Sequence, residues 1–285
     1  MKQKKTMNLK DTMDPYVPDL GIVYPDKPDD HMLDIKVVRD IKIDENYPFI
    51  DKSFKFRFMR KLMYLGIYVI VFTASPFRYG LKIEGRNILR KYRKFLKNGV
   101  MTVSNHVHRW DFLFVLQAVR YRLMYFPVWK EQLNGPDINF IRLAGGIPIP
   151  EDIHTIRFFN RAFDEIVEKK KWFHAYPESS RFDYFQPIRP FKKGVFTIVH
   201  RYNLPVLPMA ISYRKPHFPF TIINWLRSAA GKQKLPMITI RIGEPLLFDT
   251  GLGRKEAVQK MRKECHQAVV NLAGISENPY PAEGD

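Results

Sequence analysis

One recurring pattern limits the folds open to this chain: a short apolar segment runs into a polar turn and then into a helix. Gly99-Val100-Met101-Thr102-Val103-Ser104 has the composition of a buried strand. It ends at Asn105-His106-Val107-His108-Arg109-Trp110-Asp111, and a helix follows over 111–122. The same order recurs downstream, with strands over 124–129, 146–149, 172–176 and 206–212 and helices over 137–143, 154–170 and 191–202. A strand over 81–85 and a helix over 86–97 open the series. A strand over 237–242 and a long helix over 253–273 close it. Strands alternating with helices predict an α/β domain with a mostly parallel twisted sheet flanked by helices. In such sheets, sites gather beyond the carboxyl ends of strands. The 285 residues suffice for one large α/β domain or two small ones, either with a substantial core.

Charge narrows the partners. The formal net charge is +18, yet residues 1–52 hold nine Lys or Arg against eleven Asp or Glu. That stretch is proline-containing and short of apolar residues, so it predicts an extended acidic arm rather than an independent domain. The remaining body is strongly basic and calls for a polyanionic partner. Zinc-ligand spacing, an aromatic-basic RNP pattern and a GxxG clamp are all missing, which leaves an anionic membrane surface ahead of nucleic acid. The arm has basic residues at its start but no apolar h-region, so it does not read as a secretory signal. The single cysteine, Cys265, excludes an internal disulfide, fits a reducing compartment and reads as a small packing side chain.

Leu62 to Ala74 is apolar and uncharged, preceded by Phe54, Phe56, Phe58 and Met59 interleaved with Lys55, Arg57, Arg60 and Lys61. The uncharged part falls short of the roughly 18–20 residues that span a bilayer. With its aromatic and cationic flank it predicts an interfacial helix over 53–75, stopped near Pro76. A buried core helix is the competing explanation.

Two polar clusters carry the chemistry. His106 in a turn and Asp111 in the first helical turn can meet, the carboxylate accepting the Nδ1 proton and fixing the tautomer for proton abstraction at Nε2. Asp111 is equally suited to capping the helix start, and His108, two residues away, reads as structural. No serine or cysteine nearby has the setting of a nucleophile, so direct attack by a substrate hydroxyl is the simpler chemistry. Tyr176-Pro177-Glu178-Ser179-Ser180-Arg181 follows a second strand. Arg181 offers a guanidinium fork for phosphate, and Glu178 could orient that fork or contact a substrate hydroxyl. A surface Glu-Arg pair is the bland alternative.

These blocks resemble the lysophosphatidic acid acyltransferase (1-acylglycerol-3-phosphate O-acyltransferase) family over roughly residues 60–250. Asn105-His106 through Asp111 looks like its Asn-His-x-Ser-x-x-Asp block, and Gly145-Gly146-Ile147-Pro148-Ile149 looks like its second. Tyr176 to Arg181 looks like Phe-Pro-Glu-Gly-Thr-Arg, and Leu204-Pro205-Val206-Leu207-Pro208 looks like the fourth. The resemblance implies a glycerolipid acyltransferase-like core over 81–250 behind an interfacial helix over 53–80, with a C-terminal helix and tail over 251–285. It implies a membrane-associated enzyme, facing the cytoplasm, that moves a fatty acyl chain from acyl-CoA or acyl-carrier protein to the hydroxyl of a lysophospholipid. Lysophosphatidate is the default acceptor, and no resident cofactor or metal is implied. His106 would be the general base and Asp111 its partner, with Gly146, Glu178, Ser179, Ser180 and Arg181 at the acceptor. Four departures stand out: Glu151 where the second block ends in arginine, His108 for serine, and Ser179 and Ser180 for glycine and threonine. Arg142 and Arg157 are the candidate replacements for the missing cation. Acylation of another lyso-lipid and a non-catalytic, basic membrane-surface protein are the alternatives.

Overall fold

The computed structural model describes residues 15–282 apart from 29, 33–35, 121 and 151. Glu151 therefore lies outside the described residues. A long helix comes first, as α1 (Phe54–Gly66), a π-wound turn (Ile67–Val71) and α2 (Phe72–Tyr79). The body then runs β1 (Lys82–Glu84), α3 (Arg86–Lys91), α4 (Arg93–Leu96), β2 (Val100–Val103), α5 (Asp111–Ala118), β3 (Met124–Val128), α6 (Lys130–Asn134) and α7 (Ile138–Ala144). It continues through β4 (Gly146–Pro148), α8 (Ile153–Glu168), β5 (Trp172–Ala175), α9 (Lys193–Arg201) and β6 (Val206–Arg214). The last elements are α10 (Phe220–Ala229), β7 (Met237–Ile242) and α11 (Arg254–Ala273).

The seven strands form one sheet in the order β1-β7-β6-β2-β5-β3-β4. Five run parallel to one another, while β7 pairs antiparallel with β6 and carries β1 with it. The fold is thus mixed α/β with a mostly parallel sheet. Strands β2 and β5 are adjacent and in register, Val103 opposite Ala175. Every residue of both is buried, as expected for strands covered on two faces. One core layer packs Phe159, Phe163, Phe196 and Met261 from α8, α9 and α11, with Phe191 just before α9, against the sheet. The other packs Leu96, Phe114, Leu116 and Trp172 beneath the long helix.

The long helix continues past Pro76, which removes one hydrogen bond without ending it. It stops at Gly80, whose left-handed φ of 53° lets its N–H cap Ser75 O. At 26 residues it is long and apolar enough to cross a membrane, longer than its uncharged segment suggests because the Phe/Arg/Lys flank and the Pro76 turn both join it. One stripe of it is held to the body. Buried Arg60 donates to Met124 O at 3.1 Å and lies over the Tyr125 ring, and Tyr64 donates to Ala144 O at 2.8 Å. Gly145 makes this docking possible, since at φ 114° a Cβ there would sit 2.1 Å from Met124 O and 2.7 Å from the Arg60 guanidinium. The other face exposes Phe54, Phe58, Leu62, Leu65, Val69, Ile70 and Phe77.

Among the described residues, those before Ser53 form no helix or strand. They lie against the body as an extended strap. Val38 N–H donates to Asn134 O at 2.9 Å and Ile41 N–H to Asn134 Oδ1 at 2.9 Å. Tyr24 stacks on Phe182 and donates to Asp183 O at 2.9 Å. The sequence pattern assigns no element to α6 or α10.

Candidate active site

Because β2 and β5 are neighbours in register, the turns that leave their carboxyl ends lie side by side. Phe182 N–H donates to His106 O at 3.1 Å and Tyr184 N–H to Val107 O at 2.7 Å, so the two loops run as a short irregular ladder. Asn105 ties the first turn to the sheet. Its side chain pairs with the backbone of Ile211 on β6, accepting at 2.8 Å and donating at 2.9 Å, in the manner of one more strand residue.

His106 Nδ1 lies 3.0 Å from Asp111 Oδ2. The same oxygen accepts the backbone N–H of Val107 at 2.7 Å and of His108 at 2.9 Å. Asp111 therefore shapes the turn and orients the imidazole at once, while the start of α5 at Trp110 has no side-chain cap. The His106 ring stacks on Tyr176, centroids 3.9 Å apart and planes 15° from parallel. Burial, reinforced by the guanidiniums of Arg181 and Arg189, holds the imidazole well below its ordinary pKa. It rests neutral, with Nε2 the nitrogen left for a substrate. Burial pushes the Asp111 carboxyl up to about 7, opposed by His108 and the two backbone N–H groups. His108 is caged by Tyr79, Phe114 and Tyr184, and its Nδ1 accepts from Trp110 N–H at 3.1 Å.

Glu178, Ser180 and Gly146, expected at the acceptor, are placed elsewhere. Glu178 is fully buried behind the His106 turn. It accepts His106 N–H at 2.9 Å through Oε2 and Arg189 N–H at 2.9 Å through Oε1, and pairs with the Arg189 guanidinium at 3.1 Å. Arg189 also donates to Ser180 Oγ at 2.7 Å, to Ser180 O and to Pro28 O at 3.0 Å, and sits 3.9 Å over the Phe182 ring. The partner of Glu178 is thus Arg189, while Arg181 pairs with Asp183 at 2.8 Å. Arg189 escaped the sequence reading because nothing in Pro187-Ile188-Arg189-Pro190 marks it off from its basic surroundings. Gly146 opens β4, where a Cβ would meet the Ile141 side chain at 2.6 Å, so its smallness serves packing.

His106, Tyr176, Ser179 and Arg181 line a cavity of about 1250 Å³, above the usual range of small-ligand pockets. Its walls are apolar beside His106, with Phe112, Phe126, Phe159, Phe173, Ile156 and Ile198. Cations gather in it too: Arg109, Lys192, Lys193, Arg201, Arg254 and, from the strap, Lys36. Arg142 and Arg157 do not line it. Arg142 is paired with Asp51 at 3.4 Å, and Arg157 lies over Phe158. A smaller cavity of about 380 Å³ by Asp40, Lys130 and Asp152 takes in Ile149 of the second block but none of His106, Asp111, Glu178 or Arg181.

Ser179 adopts φ 63°, the left-handed region that favours glycine. Ser179→Gly should therefore raise stability by about 1 kcal/mol, read as an upward shift in the urea midpoint. An unchanged or lower midpoint would mean that the hydroxyl earns its place in the cavity wall.

Residues 80–212 match the family model described as Acyltransferase. No curated protein sequence matches significantly. Among solved structures, the chain is similar to the crystal structure of the 1-acyl-sn-glycerophosphate (LPA) acyltransferase PlsC from Thermotoga maritima. The TM-score is 0.51 at 19% identity, covering 79% of this chain and 85% of that one. The family match spans β1 through most of β6 and takes in both motif turns, on a fold shared with that enzyme. Over residues 80–212 the chain is similar to the acyltransferase family.

Proposed function

We propose that the enzyme transfers a fatty acyl chain from acyl-CoA or acyl-carrier protein to the hydroxyl of a lysophospholipid, lysophosphatidate by default, at an anionic membrane surface. The observation that carries this reading is the neutral His106 ring, held by Asp111 through Nδ1, in a large cavity with apolar walls and several cations. His106 Nε2 takes the proton of the acceptor hydroxyl as its oxygen attacks the thioester carbonyl. Asp111 stabilises the imidazolium so formed. The tetrahedral intermediate then collapses, the C–S bond breaks, and the leaving thiolate takes the proton from the imidazolium. A thiolate leaves readily, so the reaction needs no covalent enzyme intermediate. Aromatic walls suit the acyl chain. Lys192, Lys193, Arg201 and Arg254 suit the phosphates of CoA or an acidic carrier protein, and Arg181 suits the acceptor phosphate. The exposed apolar face of the 54–79 helix, with its other stripe stapled to the body, favours a helix lying in the membrane interface.

A panel of lyso-lipids offered with labelled acyl-CoA tests the acceptor. Arg181→Ala should raise KM for phosphorylated acceptors roughly ten- to a hundredfold, the loss of one charge-assisted contact, with less effect on an unphosphorylated acceptor. Equal effects on both would take Arg181 out of headgroup recognition. A lyso-lipid other than lysophosphatidate is the second reading. It is favoured by Glu151 in place of the family arginine.

A further inference from the structure

Helix α10 is an excursion between the antiparallel neighbours β6 and β7, and its contacts give it one orientation. Asn224, its one buried residue, donates to Leu235 O at 2.8 Å and accepts Leu235 N–H at 2.9 Å. Arg227 donates to Gln233 O at 2.9 Å. The Phe220 ring lies against Gly80, where a Cβ would stand 3.1 Å from its Cζ. Positions 220, 224 and 227 thus mark the body-facing side, at the i, i+4, i+7 spacing of one helix face.

The opposite side is apolar and open to solvent. Trp225 is 67% exposed, Leu226 56% and Ile222 49%, and Phe218 just before the helix is 74% exposed. A contiguous cluster of this size on a surface marks an interaction site. Lys215, Lys232 and Lys234 stand exposed around it, and no Asp or Glu occurs from Tyr184 to Gly243. Gly80, which touches Phe220, ends α2 three residues after the exposed Phe77. Helix α10 therefore packs at the C-terminal end of the long helix.

We infer that α10 is a second membrane-inserting element, with Phe218, Ile222, Trp225 and Leu226 in the acyl boundary of an anionic leaflet and the three lysines at its phosphates. Exposed aliphatics, a tryptophan and a cationic margin free of carboxylates are what an interfacial helix requires. An anionic leaflet is the preferred occupant because the margin is uniformly cationic and α10 sits at the end of a helix already read as lipid-facing. The inference rests on the membrane reading of the 54–79 helix and adds to it. One helix lying in the interface leaves the body free to roll about the helix axis. A second contact removes that freedom and holds the cavity at a fixed attitude to the lipid, and the two contacts act with avidity.

Flotation of the full chain with equimolar phosphatidylcholine and phosphatidylglycerol vesicles tests it. The triple variant Ile222→Glu, Trp225→Glu, Leu226→Glu changes only exposed positions and should partition at least roughly tenfold less. A companion triple, Leu62→Glu, Leu65→Glu, Val69→Glu, probes the long helix. If the companion dissociates while the α10 variant floats like wild type, α10 is not an anchor and the long-helix reading stands. If both float like wild type, both readings fail. Brominated lipid should quench the wild-type protein, and Trp225→Phe should remove part of that quenching. Quenching unaltered by Trp225→Phe would overturn the proposal, as would an α10 variant that loses self-association in lipid-free sedimentation while floating normally.

Discussion

Alanine at position 106 should slow acyl transfer by about 10³-fold and leave the fold and vesicle binding intact. The size follows from general-base assistance, worth about 10²–10⁴. The selectivity follows from which atoms of residue 106 do what. The loops are tied together by its backbone, N–H to Glu178 and O from Phe182 N–H, and alanine keeps both. Only the imidazole is lost, and with it the stack on Tyr176. The same assay across pH should show activity falling below about 7, where the buried Asp111 carboxyl takes up a proton and loses the negative charge that stabilises the imidazolium. Asp111→Asn should flatten that limb at a much reduced rate, because an amide fixes the wrong tautomer. Full activity in His106→Ala, measured with labelled acyl-CoA and the acceptor panel, would dismiss the base and the dyad together.

How much of this was legible in the chain depended on whether a feature is local. His106 and Asp111 are five residues apart, and a strand-turn-helix pattern is enough to bring them together. The strands themselves were legible because parallel strands buried on two faces read as continuous apolar runs, as in Val100–Val103 and Trp172–Ala175. The role of Glu178 was not. Its partners are the N–H of a residue 72 positions earlier and an arginine 11 positions later, and no local pattern distinguishes a carboxylate facing a substrate from one buried behind a turn. The motif implies an acceptor role for Glu178, whereas its side chain is buried behind the His106 turn. Helix α10 was hidden for another reason: its apolar residues face outward, so its pattern has no core to answer to. Gly145 and Gly146 looked like part of a binding block, yet their space is filled by Arg60, Met124 and Ile141.

Arg189→Ala should destabilise the protein by about 3–5 kcal/mol, the penalty for leaving a buried carboxylate without its counter-charge. Glu178 and Arg189 are both about 1% exposed, so water cannot replace the lost guanidinium. The damage should also be directional. Glu178 holds the His106 N–H, and Arg189 holds Ser180 and the strap at Pro28. Without the arginine the two motif loops lose their common clamp, and kcat should fall with the urea midpoint. Arg189→Lys keeps the charge but offers a point donor in place of a fork that reaches Glu178, Ser180 and Pro28 together, so it should fall between wild type and alanine. Replacing both residues with leucine separates clamp from charge. If the interaction is the pair itself, the double variant should lose less than the two single variants combined, since no lone charge is left buried. Arg181→Ala provides the contrast, because Arg181 lines the cavity and its removal should act on KM with little change in the midpoint. Should Glu178→Gln raise acceptor KM at an unchanged urea midpoint, Glu178 would return to the acceptor site that its motif suggests.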